Sequence, residues 1–185
     1  MSTSIKDFTQ EEKDIILSFI DIIEKFKKER EGGVVTLAFE ELKKETTPGQ
    51  NTLIEKVLEV NPADYGINID FLGIEPVPGN LVPIERQSYE WEGEKKQIAT
   101  QYLPKQAYEA YMQMNKVLKK DTGSWLLVKS AYRSPAYQLL TFLYWLTKYN
   151  FNLKETLKHS TLPGYSEHGY PPGQAIDFMT KDGVI

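Results

Sequence analysis

Apolar residues near the start of the chain recur with the period of a helix. Ile15, Ile16, Phe19, Ile22, Ile23 and Phe26 share one face. Ahead of them, Thr9-Gln10-Glu11-Glu12 has the form of a capping box, in which hydroxyl and carboxylate each satisfy an orphan amide. The pattern predicts an amphipathic helix to about Glu31, stopped by Gly32-Gly33. Residues 34–44 suit either a strand or a short helix. Residues 46–51 read as a loop and as the boundary between an N-terminal helical extension, residues 1–50, and a main domain, residues 51–185.

Prolines and glycines between short apolar runs make residues 62–83 irregular, with edge strands. Pro104 is placed at the first position of a helix whose face is Ala107, Tyr108, Tyr111, Met114 and Leu118, ending near Lys119-Lys120. Asp121-Thr122-Gly123 turns the chain into a strand at residues 125–129. Ser134 caps a helix that opens on Pro135 and reaches about Tyr149, and Asn152 with Glu155 marks a short capped helix. Residues 175–178 form the last readable strand. Phe142, Tyr144 and Trp145 read as core and flank, and Trp91 as a loop residue.

Composition narrows the function classes. Of 185 residues, 41% are hydrophobic and 26% charged, enough for a packed core. A net charge of −4 offers no basic stripe for nucleic acid. Cysteine is absent, which excludes disulfides, thiolate zinc sites and a cysteine nucleophile. The start lacks the basic and apolar regions of a signal peptide, and residues 15–26 and 139–146 are too short to span a bilayer. The expectation is a soluble chain, cytoplasmic as synthesised. Histidines number two, His159 and His168, so acid–base or metal chemistry must be built around them.

Two segments carry candidate chemistry. In Ser130-Ala131-Tyr132-Arg133-Ser134, a strand hands directly to a capped helix. An arginine held there aims a planar fork of donors in one direction, either at a structural acid or at a ligand carboxylate. In Pro163-Gly164-Tyr165-Ser166-Glu167-His168 and Gly173-Gln174-Ala175-Ile176-Asp177, a loop histidine precedes a strand carboxylate. Imidazole and carboxylate are a partial ligand set for zinc; each residue also suits an ordinary hydrogen-bonding role.

Together these segments resemble the M15 metallopeptidases, the D-alanyl-D-alanine carboxypeptidase and dipeptidase group that shares its fold with the hedgehog signalling domain. The family's Ser-x-Tyr-Arg-Ser…Gln stretch reads here as Ser130 to Gln138, and its Pro-Gly-x-Ser-x-His…Gly-x-Ala-x-Asp stretch as Pro163 to Asp177. The resemblance implies an α+β fold, a small antiparallel sheet flanked by helices, with residues 1–50 as an added helical arm. It implies zinc held by His168 and Asp177, and Arg133 stabilising the substrate carbonyl or carboxylate. Ser166 is expected to bind the substrate, a cell-wall peptide ending in D-alanine, and Gln138 to support Arg133.

The chain departs from the family in two places. Tyr170-Pro171-Pro172 lengthens the loop before Gly173, and an outward bulge would keep the ligands in register. The family's general-base glutamate and last zinc histidine follow its aspartate; no such segment lies between Asp177 and Ile185. The rival expectation is therefore a catalytically impaired relative that binds cell-wall peptides. His159 as a substitute ligand and Glu167 as a substitute base are the alternatives within the chain.

Overall fold

A computed structural model describes residues 8–30 and 33–183. Helix α1, Gln10–Glu29, begins at the Thr9–Glu12 capping box, with Glu12 N–H donating to Thr9 Oγ1 and Thr9 N–H to Glu12 Oε2. Its backbone leaves the helix at Arg30; Glu31 and Gly32 of the expected end fall outside the described residues, and Gly33, the second glycine of the expected stop, has φ +80°. Residues 34–44 resolve into a 3₁₀ turn and helix α2, Phe39–Glu45. Residues 46–51 are not a loop throughout. Thr47 and Gln50 form a second capping box and Pro48 takes the first turn of α3, Pro48–Leu58.

A 3₁₀ turn at Pro62–Tyr65 and an irregular stretch lead to β1, Leu81–Ile84. Strands β2, Ser88–Trp91, and β3, Glu94–Gln97, form a hairpin whose turn residues Glu92 and Gly93 both have positive φ. Trp91 thus ends a strand. Strand β4, Gln101–Pro104, runs straight into α4, Lys105–Thr122, so Pro104 closes the strand and caps the helix. Strand β5, Leu127–Ser130, leads to α5, Pro135–Lys148, then α6, Leu153–Leu157, and β6, Asp177–Met179. The α+β expectation holds, with the antiparallel sheet taking the form of three two-stranded ladders: β1–β4, β2–β3 and β5–β6.

The larger core surrounds α5, whose Leu139, Leu140, Phe142, Leu143 and Leu146 are buried on nearly every side. Against it lie Ile16, Phe19, Ile22 and Ile23 of α1, and Leu53, Ile54 and Val57 of α3 join the same core through α1. One apolar core therefore takes side chains from both sides of residue 50. A smaller core holds Ile84, Leu103, Tyr111, Val128 and Ala131. On α4 the buried positions are Tyr111 and Asn115, whereas Met114 faces out at 39% exposure. Asn115 turns inward because Leu126 needs it: Leu126 N–H donates to Asn115 Oδ1 (2.9 Å) and Asn115 Nδ2 donates to Leu126 O (3.0 Å).

Strand β5 has β6 on one edge and a single side chain on the other. Val128 N–H donates to Gln87 Oε1 (2.8 Å), and Gln87 Nε2 donates to Val128 O (3.0 Å). The buried amide replaces a missing strand.

Two stability tests follow from these contacts. Gln87→Met, which leaves both Val128 groups without a partner, is expected to cost about 2 kcal/mol, read as a shifted urea midpoint at unchanged slope. The second concerns the tie between the end of α1 and α2, where Arg30 donates to both oxygens of Glu41 and Ala38 N–H donates to Glu41 Oε2. Burial alone would raise the Glu41 carboxyl; the Arg30 and Ala38 bonds outweigh it and hold the group below the ordinary carboxylate value. Its stabilising effect is complete above the unfolded-state pKa and disappears as pH falls through the lower folded-state value. Glu41→Gln should therefore lose stability at neutral pH and show a flatter acid limb than wild type.

Candidate functional site

The site grows from the junction between β5 and α5. Three successive amides there are each taken by a different part of the chain. Tyr132 N–H donates to Tyr102 O (2.9 Å), Arg133 N–H to His168 O (2.9 Å) and Ser134 N–H to Val35 O (2.8 Å). Ser134 Oγ then accepts from Tyr137 N–H and starts α5 with Pro135 in its first turn. The Tyr132 side chain is buried, and burial pushes its phenol up to about 12, so it remains a neutral anchor. The junction has no freedom to re-aim Arg133.

Arg133 Nη1 donates to Gln138 Oε1 at 2.9 Å, and Gln138 Nε2 donates to Thr161 O at 2.6 Å. Gln138 is 2% exposed, so this relay is locked into the core. Burial lowers the guanidinium below its ordinary pKa, with Tyr137 and Asp177 pulling the other way, and an arginine stays charged under any such shift. Among the described residues, no carboxylate lies within ion-pairing distance of it.

His168 sits in a 3₁₀ turn, Glu167–Gly169. Its Nδ1 is 2.8 Å from Ala131 O. A carbonyl only accepts, so Nδ1 carries the hydrogen, and in the neutral ring that leaves the lone pair on Nε2. Nε2 lies 3.6 Å from Asp177 Oδ2. Asp177 reaches this position through a bulge: Val128 faces Phe178 and Ser130 faces Asp177, two steps on β5 against one on β6. The longer loop is absorbed locally. A second 3₁₀ turn, Pro171–Gly173, takes up the prolines, and Ala175 N–H returns to Glu167 O at 3.2 Å.

Zinc is a fair test of this pair. Ligand atoms about 2.1 Å from a tetrahedral ion stand about 3.4 Å apart, and an imidazole nitrogen with a carboxylate oxygen is a common donor combination. A separation of 3.6 Å with the Nε2 lone pair free fits two of its ligands. A third is not assembled: among the described residues, no group of three or more His, Cys, Asp or Glu side chains is arranged to hold a metal.

Arg133, Gln138, Ser166, His168 and Asp177 all line one cleft of about 700 Å³, with Glu167 and His159 also on its wall. A larger cleft of about 880 Å³, beside Arg86, Tyr108 and Trp125, contains none of them. Among the described residues the Ser166 hydroxyl has no hydrogen-bond partner, and it lines the cleft where a ligand could take it. His159 is held flat against Tyr149, ring centroids 4.6 Å apart, and Tyr149 in turn stacks on Trp145 at 6.0 Å. Phe142 is core, as read from the sequence; Trp145 is 37% exposed and forms part of the cleft wall.

Sequence reasoning missed the opposite wall, Ile69, Asp70 and Leu72. They belong to irregular residues 67–78, which lie over Gly164 and Tyr165. Leu72 N–H donates to Gly164 O (2.7 Å), and the Phe71 ring meets Tyr165 edge-on at 5.1 Å. Gly164 has φ +82°, and a Cβ there would overlap the Phe71 ring. Its glycine was visible in the motif, but its partner ninety-odd positions earlier left no local signal.

Comparison with known proteins adds one finding. Residues 100–184 match the family model VanY, described as D-alanyl-D-alanine carboxypeptidase. No curated protein and no solved structure gives a match.

The Gly164 contact generates its own test. Gly164→Ala is expected to cost about 1 kcal/mol for the positive φ, plus the clash with Phe71. Adding Phe71→Ala should relieve the clash and leave the backbone cost, so denaturation midpoints of the two single variants and the pair should be non-additive.

Proposed function

We propose, from the premise that residues 100–184 are a domain of the VanY D-alanyl-D-alanine carboxypeptidase family, that this chain is a zinc-dependent carboxypeptidase. Its substrate is a cell-wall peptide with a free C-terminal D-alanine. The observation that carries the reading is a half-buried guanidinium that has no ion pair among the described residues, in one cleft with an imidazole–carboxylate pair 3.6 Å apart. A partly desolvated cation whose nearby carboxylate, Asp177, is not in ion-pairing contact gains from a substrate carboxylate or developing oxyanion.

In this reading His168 Nε2 and Asp177 Oδ2 hold zinc, which when bound polarises a carbonyl and activates water for attack. The Ala131 carbonyl keeps His168 in the tautomer that leaves Nε2 unprotonated, as outer hydrogen bonds do for metal-ligating histidines. Arg133, oriented by Gln138, binds negative charge at the scissile end, while Ser166 offers a hydroxyl to the peptide backbone. Hydrolysis breaks the amide between the last two residues, water supplying the hydroxyl of the new carboxylate and a proton for the released amine.

A second reading is favoured by one observation, the missing third donor among the described residues. It is a peptide-binding module that uses Arg133 and Ser166 without turnover.

D-Alanine release from a cell-wall pentapeptide separates the two. The carboxypeptidase reading expects release that stops on chelation and returns with zinc. Binding without release supports the module, and neither binding nor release sinks both. Asp177→Ala should carry less zinc than wild type, and equal content would refute the ligand assignment. Arg133→Lys should lower kcat/KM by about 10²–10³, since an ammonium loses the planar fork. Gln138→Ala should cost less, about tenfold.

A further inference from the structure

Gln174 stands three residues before Asp177, where the lengthened loop returns to its base. Its side-chain amide donates twice, to His168 O at 3.2 Å and to Ala175 O at 2.8 Å. Both acceptors are carbonyls, so the nitrogen must face them and the amide has one orientation. Its oxygen is then buried, and among the described residues it is the only buried side-chain nitrogen or oxygen without a hydrogen-bond partner. The cost of that unmet acceptor is comparable with what the donated bonds return, so the amide adds little to stability. What it adds is position. Arg133 N–H takes one lone pair of His168 O and Gln174 takes the other, which joins the far end of the loop to the β5–α5 junction through one oxygen. The rest of the loop is tied only to itself: Tyr170 N–H reaches Glu167 O, and Gly173 N–H reaches Tyr170 O. Pro171 and Pro172 have no N–H to offer, so a side chain makes the closing bond.

We propose that Gln174 is a positioning residue: its amide closes the base of the lengthened loop and so holds His168 Nε2 opposite Asp177. The zinc reading enters only as what the pair is held toward; the clamp belongs to the metal-free chain. With its carbonyl held from two sides, His168 keeps its ring on Ala131 O through Nδ1. A loop open at its base releases the ring from that carbonyl, and the tautomer with a lone pair on Nε2 is no longer selected.

Gln174→Met keeps the length of the side chain and removes both donated bonds together with the unmet acceptor, which separates position from stability. Its urea midpoint should match wild type, unlike that of Gln87→Met, where the wild-type amide has both atoms paired. Long-range ¹H–¹⁵N spectra of the metal-free protein at about pH 9, where an imidazole is neutral, read the His168 ring. Wild type should show one tautomer, protonated at Nδ1, and Gln174→Met a mixture of the two. Zinc affinity, measured by competition with a chromophoric chelator, should fall about tenfold in the variant. A mixture already present in wild type, a single Nδ1 tautomer kept in Gln174→Met, or a lowered midpoint would each overturn the assignment. Failure of the zinc reading looks different: wild type takes up no zinc, yet the tautomer shift in Gln174→Met still supports the clamp. Zinc held equally by both proteins removes the clamp alone.

Discussion

The 2.9 Å hydrogen bond from Arg133 N–H to His168 O is the constraint on which the site depends. It ties the end of β5 to the loop that carries the histidine, and the Nδ1–Ala131 bond closes a second link between the same two segments. Both are backbone-directed, so they arise from the need to satisfy buried main-chain groups where a strand ends and a helix has not yet begun. Once that need is met, Arg133 and His168 share a cleft. The neighbouring glycine agrees: a Cβ on Gly169 would stand 3.1 Å from Arg133 O, leaving little room for a side chain at this crossing.

The same economy governs the supporting structure. Strand β5 is short and has one strand partner, and the amides of Gln87 and Asn115 act as surrogate peptide groups for Val128 within it and Leu126 just before it. This rigid strand carries the bulge that presents Asp177 opposite Ser130. Helix α5, packed on nearly all sides, supplies Gln138 from within the core, and Gln138 in turn restrains the guanidinium. Core packing, strand completion and site geometry are therefore one connected set of interactions, running from the buried Gln138 to the exposed Asp177.

Much of the site was legible because its residues lie in two short stretches with strong local grammar. Ser134-Pro135 reads as a helix start from sequence alone, and the structure places Ser134 at that cap. Arg133, Gln138, Ser166, His168 and Asp177 were named from motif order and do share a cleft. Helix faces were less secure. Met114 was assigned inward by periodicity, whereas the polar Asn115 is the buried residue, because it answers the backbone of Leu126. Residues 46–51 looked like a loop on composition, although Thr47, Pro48 and Gln50 carry a cap signal that outweighs the glycine.

The sequence by itself determined where α1, α5 and α6 begin, which residues are chemically suited to a metal and an anion, and that thiol chemistry is absent. Those properties are encoded over a few neighbouring positions, through capping, periodicity and side-chain type. The tertiary structure alone decided that Ile69, Asp70 and Leu72 wall the cleft, that Trp145 borders it, and that His159 on its wall is stacked on Tyr149. Such neighbours are far apart in the chain, and what brings them together is the burial of apolar surface across the whole molecule, which no local pattern records.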